Sequence, residues 1–267
     1  MQTLKLWMIA ASVVGLSAAL NLSAADAAGA DTGTEAAAPA AGTTDATAND
    51  AEPVQYSEAE TLLWKTDQLK GISKPTRLKY EFKKAGSLEQ GFTDSVVLNI
   101  VKVKPDGMKA ANLQFFTGER HHYVPPYENI NGNPVLAIYL EGDVYEMKRL
   151  TEGPWRYFQK RIKRALAEDA EVTPVTVEFN GRKVQAKQIK IAPYAKDPRA
   201  QQTAKYHQFT NKTYVFTVSD DIPGYLYEIQ TTTPVADPDP TQPKDVPLLE
   251  ESLKLVEVDN KPTEQQD

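Results

Sequence analysis

Two blocks of period-two sequence, separated by one long stretch at helical spacing, limit what this chain can fold into. In the first block Leu78, Tyr80 and Phe82 alternate with Lys79, Glu81 and Lys83. That is a strand with one buried and one wet face. Residues 92–104 (FTDSVVLNIVKVK) and 108–124 (MKAANLQFFTGERHHYV) follow, joined by Pro105-Asp106-Gly107. Proline presets φ there and glycine accepts a positive one, so the pair predicts a hairpin. The second block holds five runs, at 172–181, 183–194, 213–220, 224–234 and 248–258. Asn180-Gly181 is a two-residue hairpin signal, and Asp221-Ile222-Pro223-Gly224 is a further turn. Strands joined by such short turns pair antiparallel.

Between the blocks Asn133 is suited to cap a helix and Pro134 to open it. Leu136, Leu140, Val144, Met147 and Leu150 then recur at spacings of 4, 4, 3 and 3, one face of a helix. Gly153 ends it and Pro154 restarts a second helix, PWRYFQKRIKRALAE, with Trp155, Phe158, Ile162, Ala165 and Leu166 on one side. A hairpin about Glu141-Gly142-Asp143 is the competing reading of the first of these. Ahead of both blocks, residues 57–72 (SEAETLLWKTDQLKGI) predict a helix that Gly71 and Pro75 stop. Ser57 and Glu60 form its capping box. The class is therefore α+β: a largely antiparallel sheet with an N-terminal helix and a central helix pair.

The ends bear on compartment. One lysine in residues 1–5, an uncharged and mostly apolar run at 6–20, and Ala25-Asp26-Ala27 make the pattern of a secretory signal peptide cleaved near Ala27. An uncleaved anchor helix is the competing reading. The alanine-heavy leader points to the periplasm. Residues 28–55 hold no aromatic and a single valine, too little apolar surface to offset ordering, so they read as a disordered tether. Residues 56–260 are expected to form a single domain and 261–267 a disordered tail. No later apolar run approaches the about 18 residues of a stable membrane span. The chain has no cysteine, which excludes disulfides, thiolate catalysis and Cys-ligated zinc. A net charge of −6 predicts no nucleic-acid partner, which would call for a strongly basic domain.

Candidate chemistry is sparse. His121 and His122 are adjacent, and neighbours in a strand point to opposite faces; the third histidine, His207, is distant. No metal site and no cofactor are expected. The chain lacks G-x-S-x-G and H-E-x-x-H, and Ser219-Asp220 reads as a turn cap rather than as a triad with His207. No catalytic residue is assigned, although a carboxylate pair among the 36 acidic residues stays open. Val124-Pro125-Pro126-Tyr127 lacks two successive donors and ends its strand in a loop.

Two features bear on binding. Arg156, Lys160, Arg161, Lys163 and Arg164 are five cations in nine residues, suited to an anionic head group or membrane surface or simply to a solvated helix face. The strands also carry surplus apolar bulk. Val96, Leu98 and Ile100 face one way and Val97, Val101 and Val103 the other, Phe115 and Phe116 are adjacent, and Tyr225 and Tyr227 share a face. Strands apolar on both sides must be covered on both. The helix pair covers one face, and a curled sheet encloses either a packed core or a ligand-sized cavity.

A leader, an N-terminal helix, strands, a central helical insertion and further antiparallel strands over most of residues 56–258 resemble the periplasmic lipoprotein-carrier family, the LolA/LolB/LppX-like fold. NPVLAIYLEGDVYEMKRLTEG and SDDIPGYLYEIQTTTP also look like stretches of exported proteobacterial proteins. The carrier resemblance implies a curved, incomplete barrel closed by helices that holds acyl chains in its hollow, and it carries over no functional residue. The alanine-rich tether departs from that family, whose domain begins nearer the cleavage site. The expectation is a non-catalytic periplasmic binding protein for a lipid or other hydrophobic small molecule. Leu98, Ile100, Leu113, Phe115, Tyr225 and Tyr227 would line its site, and Arg156, Lys160 and Arg164 would read a head group. A structural module with an envelope protein partner is the alternative, and a periplasmic hydrolase the third reading.

Overall fold

The structure is a computed structural model that describes residues 55–235 and 246–260. The expectations for the signal peptide, for the tether up to residue 54 and for the tail lie outside these residues. Nine strands among them form one antiparallel sheet: β1 (Thr76–Ala85), β2 (Phe92–Val103), β3 (Lys109–Phe115), β4 (Tyr127–Ile130), β5 (Glu171–Phe179), β6 (Arg182–Ile191), β7 (Thr213–Val218), β8 (Leu226–Thr233) and β9 (Leu249–Asp259). Their order is β4-β3-β2-β1-β9-β8-β7-β6-β5. The first four strands step outward to one edge, the last five step inward from the other, and β9 joins β1. Edges β4 and β5 stay apart, so the barrel is incomplete.

This topology fixes where the helices go. The chain between edge strands β4 and β5 is the helix pair, α2 (Pro134–Thr151) and α3 (Trp155–Glu168). A connection from one edge to the other must cross the face of the sheet, and there it covers the apolar side. Asn133 caps α2 by accepting from the Val135 amide, with Pro134 in the first turn. The hairpin reading about Gly142 is overturned, since that glycine lies within α2. Glu152, in left-handed backbone at φ 61°, ends α2, and Pro154 caps α3.

The N-terminal helix is shorter than its sequence suggests. Its capping box forms, and α1 (Glu58–Glu60) passes directly into a π-helical turn at Thr61–Lys65 that stops at Thr66. Gln68 and Leu69 then leave the helix because their bonds go elsewhere. The Gln68 amide donates to Leu63 O at 2.9 Å and accepts from Asn133 N at 2.6 Å, and Leu69 N donates to Asn131 O. The strand expected over 108–124 likewise ends at Phe115. Phe116 turns left-handed at φ 65°, so both neighbouring phenylalanines point into the core, with ring centroids 4.6 Å apart. A short 3₁₀ turn at Gly118–Arg120 follows. The segment at 194–212, which has no clear period, holds a second 3₁₀ turn at Pro198–Gln201 and the short helix α4 (Ala204–His207).

Contrary to the two-faced reading, β1 and β2 are one-sided. Leu78, Tyr80 and Phe82 of β1 and Val96, Leu98 and Ile100 of β2 are buried, whereas Val101 on the opposite face is 43% exposed and Val97 and Val103 are half-buried. The outer face carries Arg77, Lys79, Glu81 and Lys83. On the helix side the core is continuous from Leu63 and Leu69 through Leu136, Met147, Phe158 and Ile162 to Phe216, Ile229 and Leu253. Of the two interiors the sequence left open, the structure has the packed one. Two clefts among the described residues open at the surface: one of about 180 Å³ between Ser57 and Val172, and one of about 270 Å³ between Lys83 and Ser252.

Candidate functional site

Opposed residues in neighbouring strands share a face, so the register can be read as rows beneath α2. One row is apolar: Phe82, Leu253, Ile229, Phe216 and Ile189 are successive partners across β1, β9, β8, β7 and β6. The next row, two residues along each strand, is Lys84, Glu251, Thr231 and Tyr214. Above it α2 presents Tyr139, Asp143 and Glu146, spaced by 4 and 3 and all buried. A charged seam therefore lies between helix and sheet, beside an apolar one.

The bonds cross that seam. Lys84 Nζ donates to Glu146 and lies 3.3 Å from Glu251 Oε1. Lys212, just ahead of β7, donates to Asp143, which also accepts from Tyr214 OH at 2.6 Å. Tyr139 OH donates to Glu251 Oε2 at 3.2 Å and lies 3.3 Å from Thr231 Oγ1. Toward solvent, Lys84 reaches Glu89 at 3.1 Å, and Arg149 holds Glu89 with two bonds of 2.6 and 2.9 Å. At the deep end Tyr214 OH lies 3.2 Å from Tyr194 OH.

Charge explains how the seam titrates. Asp143, Glu146 and Glu251 supply three carboxylates against the ammoniums of Lys84 and Lys212. Burial, then the Glu146 carboxylate, pushes the Glu251 carboxyl up to about 7, with Lys84 and Lys212 opposing. A protonated Glu251 leaves the five groups neutral. Burial pulls the Lys84 ammonium down, but Glu146 and Glu251 outweigh it and hold its proton more tightly than usual. The three carboxylates have oxygens within 4.8 Å of one another, a spacing a metal ion could use. The lysines already occupy that role, so the residues present do not fit a metal.

A second polar knot fixes α3. Asp197 accepts from Tyr157 OH at 2.6 Å and from Tyr206 OH, and Arg161 lies 3.5 Å away. Burial alone would raise its carboxyl, but these donors hold it below the ordinary range. A third knot pins the start of α2. Asn133 Nδ2 donates to Tyr80 OH at 2.9 Å and to Gly224 O at 2.8 Å. Gly224 has φ +79°, and a Cβ there would sit 2.4 Å from Leu78 Cδ1, so only glycine fits the turn.

The residues expected from the sequence are not all gathered in one place. Leu98 opposes Leu113, Ile100 opposes Ala111 and Val96 opposes Phe115, so Leu98, Ile100, Leu113 and Phe115 lie buried on the helix side of the sheet. Tyr225 and Tyr227 do not share a face. Tyr225 is buried and left-handed at φ 67°, whereas Tyr227 lies on the outer face under Lys254 and against Phe179. Arg156, Lys160 and Arg164 are exposed on α3, away from the interior, and Arg164 pairs with Glu168 at 2.7 Å. His121 and His122 are exposed at a loop, linked to the sheet only by the bridge between Phe115 and His122. Ser219 Oγ donates to Gln185 O at 2.6 Å and accepts from Asp221 N, while Asp220 pairs with Lys70 at 2.9 Å. The serine therefore caps its turn.

No protein-family model matches the chain, and no curated protein matches it in sequence. Several solved structures are similar to it, three of them as follows. The Mycobacterium tuberculosis lipoprotein LppX is 9% identical, with 78% of this chain and 99% of that one covered and a TM-score of 0.30. A LolA superfamily protein from Nitrosomonas europaea is 8% identical, covering 76% and 93%, at a TM-score of 0.20. Lipovitellin is 11% identical, covering 72% of this chain and 26% of that one, at 0.25. Each likeness is one of architecture alone. No helix among the described residues is long and apolar enough to cross a membrane.

Proposed function

We propose that the chain is a non-catalytic, exported binding protein for a hydrophobic or lipid-like molecule, taken up between α2 and the sheet. The observation that carries this reading is the composition of the seam. Its apolar rows, with Leu98, Ile100, Leu113 and Phe115 as one wall, match an acyl chain at about 25 cal/mol for each Å² removed from water. Its other half is ion-paired. Buried ion pairs add little net stability, because separation returns each charge to water. A helix held partly by such pairs can lift from the sheet at lower cost than one sealed throughout by apolar contacts. The packed interior is then the closed state, and the ligand replaces helix contacts instead of filling a standing hollow.

The test is native mass spectrometry of protein expressed with its leader and recovered from the periplasm, before and after organic extraction. An extractable adduct of lipid mass is expected, and a photoactivatable fatty acid should label peptides of β2 and β3. Protein that carries no adduct and shows no saturable labelling would end the proposal.

A further inference from the structure

Helix α3 carries five cations against one carboxylate, Glu168, in a chain whose net charge is −6. Two of the five are committed to the fold. Arg161 donates to Pro193 O at 2.9 and 2.7 Å, and Arg164 pairs with Glu168. The other three, Arg156, Lys160 and Lys163, follow at spacings of 4 and 3 and are exposed, a single stripe along the outer face. Where the stripe begins, Tyr145 of α2, 45% exposed, stacks on Trp155 with centroids 6.0 Å apart. The Arg156 guanidinium lies 5.2 Å over the same indole. Lys148, one turn beyond Tyr145, is exposed as well.

An acidic partner protein would be met by cations alone. An open aromatic pair beside a basic stripe also fits the layer under phospholipid head groups, where rings with a polar edge settle. We propose that the outer face of α3, together with Tyr145, docks this protein on an anionic phospholipid surface. The cations lie against the head groups and Trp155 lies in the interfacial layer. This docking is separate from whatever the interior binds and survives its failure.

The full chain with Trp7→Phe and Trp64→Phe leaves Trp155 as its sole indole, so its fluorescence reports where α3 sits whatever else holds the chain to a vesicle. The probes are phosphatidylcholine vesicles with and without phosphatidylglycerol, carrying lipids brominated near the head group. Quenching is expected only with the anionic lipid, and high salt should reverse it. Reversing Arg156, Lys160 and Lys163 to Glu should weaken binding at least on the order of a hundredfold, and Lys160→Gln alone about fivefold. Both changes lie on an exposed face, and circular dichroism verifies the fold. Absence of quenching on anionic vesicles, equal quenching on neutral ones, or unchanged binding by the reversed variant would each overturn the proposal.

Discussion

Glu251→Gln offers a direct test of the charged seam. Lys84 of β1, Thr231 of β8, Tyr139, Asp143 and Glu146 of α2 and Lys212 ahead of β7 all face this carboxyl. Their balance raises it from 4.5 to about 7. At about 1.36 kcal/mol per pH unit, ionising Glu251 in the folded state costs about 3 kcal/mol. A folded-state value above the unfolded one means that the folded protein binds the extra proton. Stability from this group is thus complete below about pH 4.5 and lost as pH rises through about 7. Glu89 and Asp197, both held low, act in the opposite sense at more acidic pH and are common to both proteins. Urea unfolding of each protein at several pH values isolates Glu251. The stability advantage of wild type over the variant should shrink by about 3 kcal/mol between about pH 4.5 and 8. With a urea slope of about 2 kcal/mol per M, the midpoint gap changes by about 1.5 M. A gap constant with pH, or one that moves in the other direction, would refute the reasoning.

Two further substitutions probe the helix attachments by the same unfolding assay. Lys212→Met strands the buried Asp143 carboxylate and should cost about 3–5 kcal/mol. Adding Asp143→Asn to it should recover part of the loss, with a coupling of about 0.5–3 kcal/mol between the two sites. Asn133→Ala removes the cap of α2 and two amide bonds, one to Tyr80 and one to Gly224. It should cost about 2–4 kcal/mol, and hydrogen exchange at the Val135 amide should accelerate.

The parts of this fold that the sequence displayed are those governed locally. The capping box at Ser57, the turn at Pro105-Asp106-Gly107, the cap at Asn133 and the Asn180-Gly181 hairpin all depend on residues a few positions apart, and all form. The charged seam had local signals too. The core phase of Leu78, Tyr80 and Phe82 continues to Lys84, that of Leu249, Leu253 and Leu255 includes Glu251, and Tyr139, Asp143 and Glu146 stand at helical spacing. Charges at core-phase positions are the warning sign. What pairs them is the contact of β9 with β1, which no local pattern specifies. Phe116 and Tyr225 failed for another reason. Each is a non-glycine residue in left-handed backbone, where a period-two assignment of faces stops being valid. The supposed two-sided strands failed because scattered outward valines need no cover.

The three polar knots differ in what breaking them costs, and that difference gives α2 a direction. At its start Asn133 is held by neutral bonds to a hydroxyl, a carbonyl and its own helix; lost in a buried site, these leave donors and acceptors unpaired. From Asp143 onward ion pairs join the apolar contacts of Val144 and Met147, and the charged part reaches solvent through Glu89 and Arg149. If α2 lifts as proposed, charges nearest the exit would regain water first, so the separation would begin at Arg149 and Glu146 and pivot about Asn133. The apolar row of Phe82, Leu253 and Ile229 lies next to that opening end. A molecule entering there would meet charged groups first and apolar surface behind them. That order suits an amphiphile better than a plain hydrocarbon, and a neutral Glu251 keeps the same end closed most firmly in mild acid.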